Sequence, residues 1–282
     1  MKNTCLLIFI LLAHHGLAQQ RNELPFIEHL IQKGYFTEVV HLINNDTINY
    51  NQSHRDSLFY YNGWAHYSLK NLEPSTFSFR QVGNTSAFYL KSRFFAGYNQ
   101  IFLGKYDESQ KTIGQLDTRD ERISSLVNFE LGGIDMLQGD WMKGELKLQN
   151  VNQNMAALNN QVLALMKICK EQEFHRSKSP FLAGLMSCLL PGSGKIYAGK
   201  TGQGIASLIT TTGLGLITWE NYHKLGFNQV KTILFGSIFA VTYISNIYGS
   251  VISVKIFENE YKDVLHNQIL FQLHIPLRNF FE

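Results

Sequence analysis

The eight residues 194–201 of this 282-residue chain read GKIYAGKT, and their Gly194, Gly199, Lys200 and Thr201 fit the phosphate-loop spacing G-x-x-x-x-G-K-[ST]. That chemistry would set backbone amides and Lys200 around nucleotide phosphates, with Thr201 on magnesium. It also requires a buried strand before the loop, a helix after it and a parallel sheet around both. The residues that follow are mostly apolar helix candidates, with no β-rich alternation and no apolar strand ending in Asp. Nucleotide binding is therefore not expected from the match. Ser193 stands between Gly192 and Gly194 but lacks the strand-turn-helix setting of a nucleophile. The ten histidines show no metal-ligand spacing with Cys, Asp or Glu, and His54 and His66 read as helix-surface or core residues. The three cysteines, Cys5, Cys169 and Cys188, make no disulfide framework. No catalytic role, cofactor or metal is expected.

The elements around these residues are unevenly composed. Hydrophobic residues make up 45% and charged ones 17% of the chain, and the uncharged runs gather toward the C-terminus. A net charge of +3 with scattered Lys and Arg excludes a nucleic-acid surface. At the N-terminus, Lys2 precedes an apolar run over residues 5–13, and Gly16-Leu17-Ala18 offers small residues for a cut. That order is the layout of a signal peptide over residues 1–18, too short to span a bilayer.

Residues 22–151 repeat themselves. A corner recurs at Gly34-Tyr35-Phe36, Gly104-Lys105-Tyr106 and Gly139-Asp140-Trp141, with Lys70-Asn71-Leu72 in the remaining slot. The first positions 34, 70, 104 and 139 lie 36, 34 and 35 residues apart. Seven residues before three corners stands a glycine: Gly63, Gly97 and Gly132. Five residues after each first position comes a small or slim residue, Val39, Ser75, Ser109 or Gly144, and four further on a large one, Ile43, Phe79, Ile113 or Leu148. Small residues let two helices approach closely, and the large one lies on the same face and fills the groove. In this spacing the chain resembles the tetratricopeptide repeat family, which has the glycine, the small residue and the aromatic in these places. The resemblance implies stacked helix pairs. The rival reading is an irregular helical bundle. Ile27 replaces the glycine in the first repeat, Pro74 falls in a first helical turn where proline is tolerated, and residues 44–55 read as a polar loop.

Most aromatics here are expected to pack between helices. Tyr60, Tyr67, Asn99 and Gln100 are candidates for a groove that takes an envelope protein or peptide. No basic cluster is present to clamp a terminal carboxylate. Helical spacing from Met155 to Cys169 predicts a capping helix.

Two uncharged runs follow at 202–219 and 232–254, the second bracketed by Lys231 and Lys255 and long enough to cross a bilayer. Trp219 and Tyr222 occupy interfacial positions, and Gly236 with Ala240 and Ser245 with Gly249 set small residues four apart. Residues 179–194 are a third crossing or a segment that dips in and returns. Residues 190–219 resemble small two-helix transmembrane domains at Gly194, Tyr197, Gly199, Lys200, Gly204, Ile205 and Leu208. That family's His-Arg-Phe is replaced by Gly194-Lys195-Ile196. In the tail, Phe271, Leu273, Ile275 and Leu277 alternate as in a strand. It either joins another protein's sheet, lies on the membrane or packs on the chain's own helices.

The expectation is an all-α protein, a tetratricopeptide-like helical solenoid followed by a transmembrane helical hairpin. Its parts are a signal peptide (1–18), a repeat domain with capping helix (19–178), membrane helices (179–256) and a tail (257–282). Its expected role is a membrane-anchored, exported scaffold for protein interaction, touching the lipid bilayer. The alternative is a small transporter or channel component, for which Glu220 is the candidate ionisable group.

Overall fold

A computed structural model describes residues 23–44, 51–152 and 155–281. The expected signal peptide lies outside the described residues. Among those described, thirteen helices follow one another with no strand. The all-α expectation holds at that level.

The described residues divide into two units, those up to Ala164 together with those from Gln272 onward, and Leu165–Phe271. In the first unit, helices α1 (Leu24–Lys33), α2 (Phe36–Asn44), α3 (Gln52–Ser68) and α4 (Leu72–Gln81) are followed by α5 (Tyr89–Phe102), α6 (Tyr106–Gly114), α7 (Glu121–Leu137) and α8 (Trp141–Gln149). Each packs on the next in the chain. Helix α9 (Ala156–Phe174) follows, with Leu158, Val162, Leu165 and Cys169 buried along one stripe.

The four sequence corners have one geometry. Gly34, Lys70, Gly104 and Gly139 all have positive φ, at 80°, 65°, 74° and 89°. At each, the corner amide donates to the carbonyl three residues back, and the following amide to the carbonyl five back: Ile31 and Leu30, Tyr67 and His66, Ile101 and Gln100, Met136 and Asp135. This pair of hydrogen bonds satisfies carbonyls that the helix end leaves free, and the left-handed residue it needs favours glycine. Lys70 accepts that conformation despite its Cβ.

The spacing inside the pairs is explained by close approach. A Cβ on Gly63 would lie 2.6 Å from Phe79, and one on Gly97 2.6 Å from Ile113. On Gly132 it would lie 3.1 Å from the Gly144 carbonyl oxygen and 3.2 Å from Leu148. Ser75 Oγ donates to the Gly63 carbonyl at 2.8 Å, and Ser109 Oγ to that of Gly97 at 2.9 Å. The large partners Phe79, Ile113 and Leu148 are buried, each contributing roughly 1.5–3 kcal/mol by leaving water. In the first pair Ile27 is itself buried beside Val39, and Ile43 is only partly covered.

The loop expected over 44–55 is shorter at its far end. Helix α3 begins at Gln52, where Asn51 Oδ1 accepts from the His54 amide at 2.9 Å. That is an N-cap, which a polar stretch conceals.

In the second unit come α10 (Pro180–Leu189), the short α11 (Ser193–Tyr197), α12 (Thr201–Leu225) and most of α13 (Val230–Asn279). Ten residues of α10 span about 15 Å, half a bilayer core, so it does not cross as a helix. Among the described residues one helix, Val230–Asn279, is long and apolar enough to cross a membrane. Its 23 uncharged residues 232–254 span roughly 35 Å. Much of the unit's apolar surface lies open to the surroundings, including Phe181, Ile209, Leu216, Trp219, Val241 and Ile244.

The tail is helical to Asn279, which corrects the strand reading. The alternation at 271, 273, 275 and 277 hid a stripe of period three to four, with Leu273, Pro276, Leu277 and Phe280 buried.

Candidate functional site

The first helices of three successive pairs, α3, α5 and α7, present side chains to the end of the chain. Tyr67 on α3 hydrogen-bonds His274 through its hydroxyl and the imidazole Nε2. Tyr98 on α5 stacks on the same imidazole, with ring centres 4.9 Å apart and planes at 20°. Phe94 meets Phe281 at 5.8 Å. On α7 the absence of a side chain at Gly133 makes room for Leu273, whose Cδ2 would lie 2.4 Å from any Cβ there. The Arg122 guanidinium sits 5.2 Å from the Phe280 ring centre. Leu273 and Leu277 are wholly buried.

These contacts set the local electrostatics. Burial pushes the Tyr67 phenol up to about 12, against the opposing pull of the Arg278 charge. The Tyr98 phenol is raised, first by burial and then by Tyr67 and Glu130. His274 is held below the usual imidazole value by burial and by the Arg278 and Lys70 cations. Glu130 on α7 is fully buried, neither carboxylate oxygen has a hydrogen-bond partner, and burial raises its pKa well above the carboxylate range.

Of the four sequence candidates, Tyr67 lies on this face. Tyr60 stacks on Phe88 at 4.2 Å and is buried, its phenol pushed up to about 12 by desolvation. Asn99 is wholly buried and donates to Ser75 Oγ at 2.9 Å. Gln100 is also buried, donating to Glu108 and accepting from Thr112. Sequence reasoning missed Tyr98, Gly133, Leu273 and His274 as members of one site. Gly133 was masked by its neighbour Gly132, which explained the repeat by itself. His274 lay in a tail read with the wrong period.

No family model, curated protein or solved structure matches the chain. The site's own geometry defines what it can do. It is an aromatic and aliphatic helix-holding face with one hydrogen-bonding phenol. Nothing in it is arranged as a nucleophile with a base.

The residues of the phosphate-loop spacing lie on α11, a turn and the start of α12, preceded by helix α10. Their amides serve the turn. Gly194 donates to Ser187 Oγ, Lys195 and Ile196 to Gly192, Ala198 to Gly194, Gly199 to Ile196 and Lys200 to Lys195. Gly199 is the left-handed residue of the turn, at φ 88°, whereas Gly194 and the preceding Gly192 are positions of close packing. A Cβ on Gly194 would lie 2.0 Å from the Ala183 carbonyl oxygen, and one on Gly192 2.1 Å from that of Gly204.

Two further features belong to the second unit. Ser187 and Ser250 share a 2.7 Å hydrogen bond, and Lys195 Nζ donates to Ser207 at 2.7 Å, tying α10, α11, α12 and α13 together. Beyond the apolar stretch, the Glu258 carboxylate accepts from the Lys178 amide at 2.9 Å and lies 3.2 Å from His175 Nε2. Burial works to raise the Glu258 pKa, but these bonds and the nearby charges bring it below the usual value. Glu220 lies exposed and pairs with Lys224 four residues on. Among the described residues no three His, Cys, Asp or Glu side chains converge as a metal site.

Proposed function

We propose that this chain is a membrane-anchored, extracytoplasmic scaffold of tetratricopeptide-like helix pairs that holds other proteins in the cell envelope. The carrying observation is the repetition of one corner geometry, φ and both amide bonds included, at four positions about 35 residues apart. Pairs with a common corner and a common close approach stack into a solenoid, because no single pair can bury its apolar face. Stacked pairs line up their first helices and so present a continuous face, here carrying Tyr67, Tyr98 and Gly133. That is the form of surface on which an amphipathic helix docks.

The anchoring half of the reading is supported by the open apolar surface of the second unit and the length of the uncharged stretch 232–254. An apolar surface of that extent calls for lipid or a partner. The N-terminal leader pattern supports export. A transporter asks for ionisable groups turned inward, whereas Glu220 is satisfied on the surface by Lys224.

Alkaline extraction of membranes, followed by protease treatment of intact spheroplasts, tests the placement. The chain should stay with the membrane pellet and lose its repeats to external protease. Release into the alkaline supernatant would sink the anchor. For the scaffold role, the tagged full chain purified in mild detergent should retain an envelope protein that the double variant Tyr67→Asp, Tyr98→Asp loses. An unchanged set of retained proteins would count against it.

A further inference from the structure

The last turns of α13 are poor helix by sequence. Pro276 lies inside them and cannot donate an amide to the carbonyl four residues back. The segment is nonetheless helical to Asn279, so its order comes from what it packs on. Its buried residues are Leu273, Pro276, Leu277 and Phe280, and Arg278 and Asn279 face outward. Spacing at i, i+3, i+4 and i+7 is the anchor pattern of an amphipathic helix lying in a groove.

The position of this segment in the chain is unusual for a piece of core. Residues 165–271, which form the other unit, separate it in sequence from the helices it packs on. Its seat is built from three successive pairs, with Tyr67 bonding the imidazole, Tyr98 stacking on it and Gly133 receiving Leu273.

We propose that residues 272–281 are an internal ligand that closes this face, and that the face takes from a partner protein an amphipathic helix of the same chemistry. The partner helix carries large aliphatic residues at i and i+4, an aromatic at i+7 and a hydrogen-bond acceptor beside the first anchor for the Tyr67 hydroxyl. The segment and the partner compete for one seat, so the scaffold is held closed until the partner outbids its tail. The inference rests on the scaffold reading and narrows it to one site and one ligand class.

The test uses the full chain in detergent micelles and a fluorescent synthetic peptide of residues 270–282 as probe. Binding is compared between the natural chain, the variant Leu273→Asp with Leu277→Asp, and a chain stopped after Phe271. Both altered chains should bind the peptide at least tenfold more tightly than the natural one, and a peptide carrying the two Asp changes should not bind. Equal affinity across the three chains, or no saturable binding to either altered chain, overturns the proposal. So does loss of helical signal and of cooperative melting in both, which would make the segment core. Hydrogen exchange on the natural chain is the second measurement. Amides of 272–281 should exchange at least tenfold faster than those at the centres of α5 and α7, and equal rates contradict a latch. If the peptide experiment fails but the chain still retains its envelope partner through Tyr67 and Tyr98, the latch falls and the scaffold stands.

Discussion

At Gly97, in the first unit, an added Cβ would press on the Ile113 side chain at 2.6 Å; at Gly194, in the second, it would press on the Ala183 backbone carbonyl at 2.0 Å. A side chain can rotate away, but a helix backbone cannot move without shifting its whole turn. In the first unit Gly63, Gly97 and Gly133 seat a neighbour's side chain, while Gly132 and Gly144 also bring two backbones close. The second uses Gly192, Gly194 and Gly204 to bring backbones together more tightly, with Ser187, Ser250, Lys195 and Ser207 bonding across the helices. Close backbone approach with small polar side chains as glue is how helices associate where lipid supplies no hydrophobic drive between them. Most of the exposed large apolar side chains also lie in the second unit.

The largest test of this contrast is Gly194→Ala, expected to cost about 3 kcal/mol or more, because overpacking against backbone leaves little room to relax. Thermal melting of the full chain in detergent reads it, and a drop no larger than that of Gly97→Ala would erase the distinction. Gly97→Ala itself should cost about 1–2 kcal/mol, with Ile113 turning aside. Lys70→Gly runs the other way. It removes the left-handed strain at φ 65° and should stabilise by about 1 kcal/mol, bringing that corner into line with the other three. An unchanged or lowered melting temperature would mean the corners are not equivalent.

The smallest effect concerns acidity. His274 has its pKa lowered in the folded chain, so the unfolded or released segment binds the proton more readily. Its contribution is complete above the free imidazole value of about 6.5 and is lost as pH falls below it. The groups facing the imidazole are the Tyr67 hydroxyl from α3 and the Tyr98 ring from α5, with the Lys70 and Arg278 cations nearby. Hydrogen exchange of 272–281 should quicken between neutral and mildly acidic pH, and His274→Gln should flatten that response.

Much of this was legible in the chain itself. The corners at 34, 70, 104 and 139 and the glycines at 63, 97 and 132 were visible because each answers to a local steric demand: a left-handed residue or a missing Cβ. The seat at Tyr67, Tyr98 and Gly133 was not, since it depends on which distant segment arrives. The phosphate-loop spacing misleads for a related reason. Glycine at 194 and 199 fits either anion binding or tight turning, and only the neighbours at Ser187 and Ala183 distinguish the two. The tail was misread because 273 and 277 belong to a period of two and of four alike.

The proposed function requires that the two units face different solvents, the helix pairs water and the apolar helices lipid. Labelling native membranes with a lipid-soluble carbene reagent, then mapping the modified peptides, addresses it directly. Modification should concentrate within residues 205–256 and spare residues 23–151. A chain recovered without label over 232–254, or labelled evenly along its length, would contradict the account.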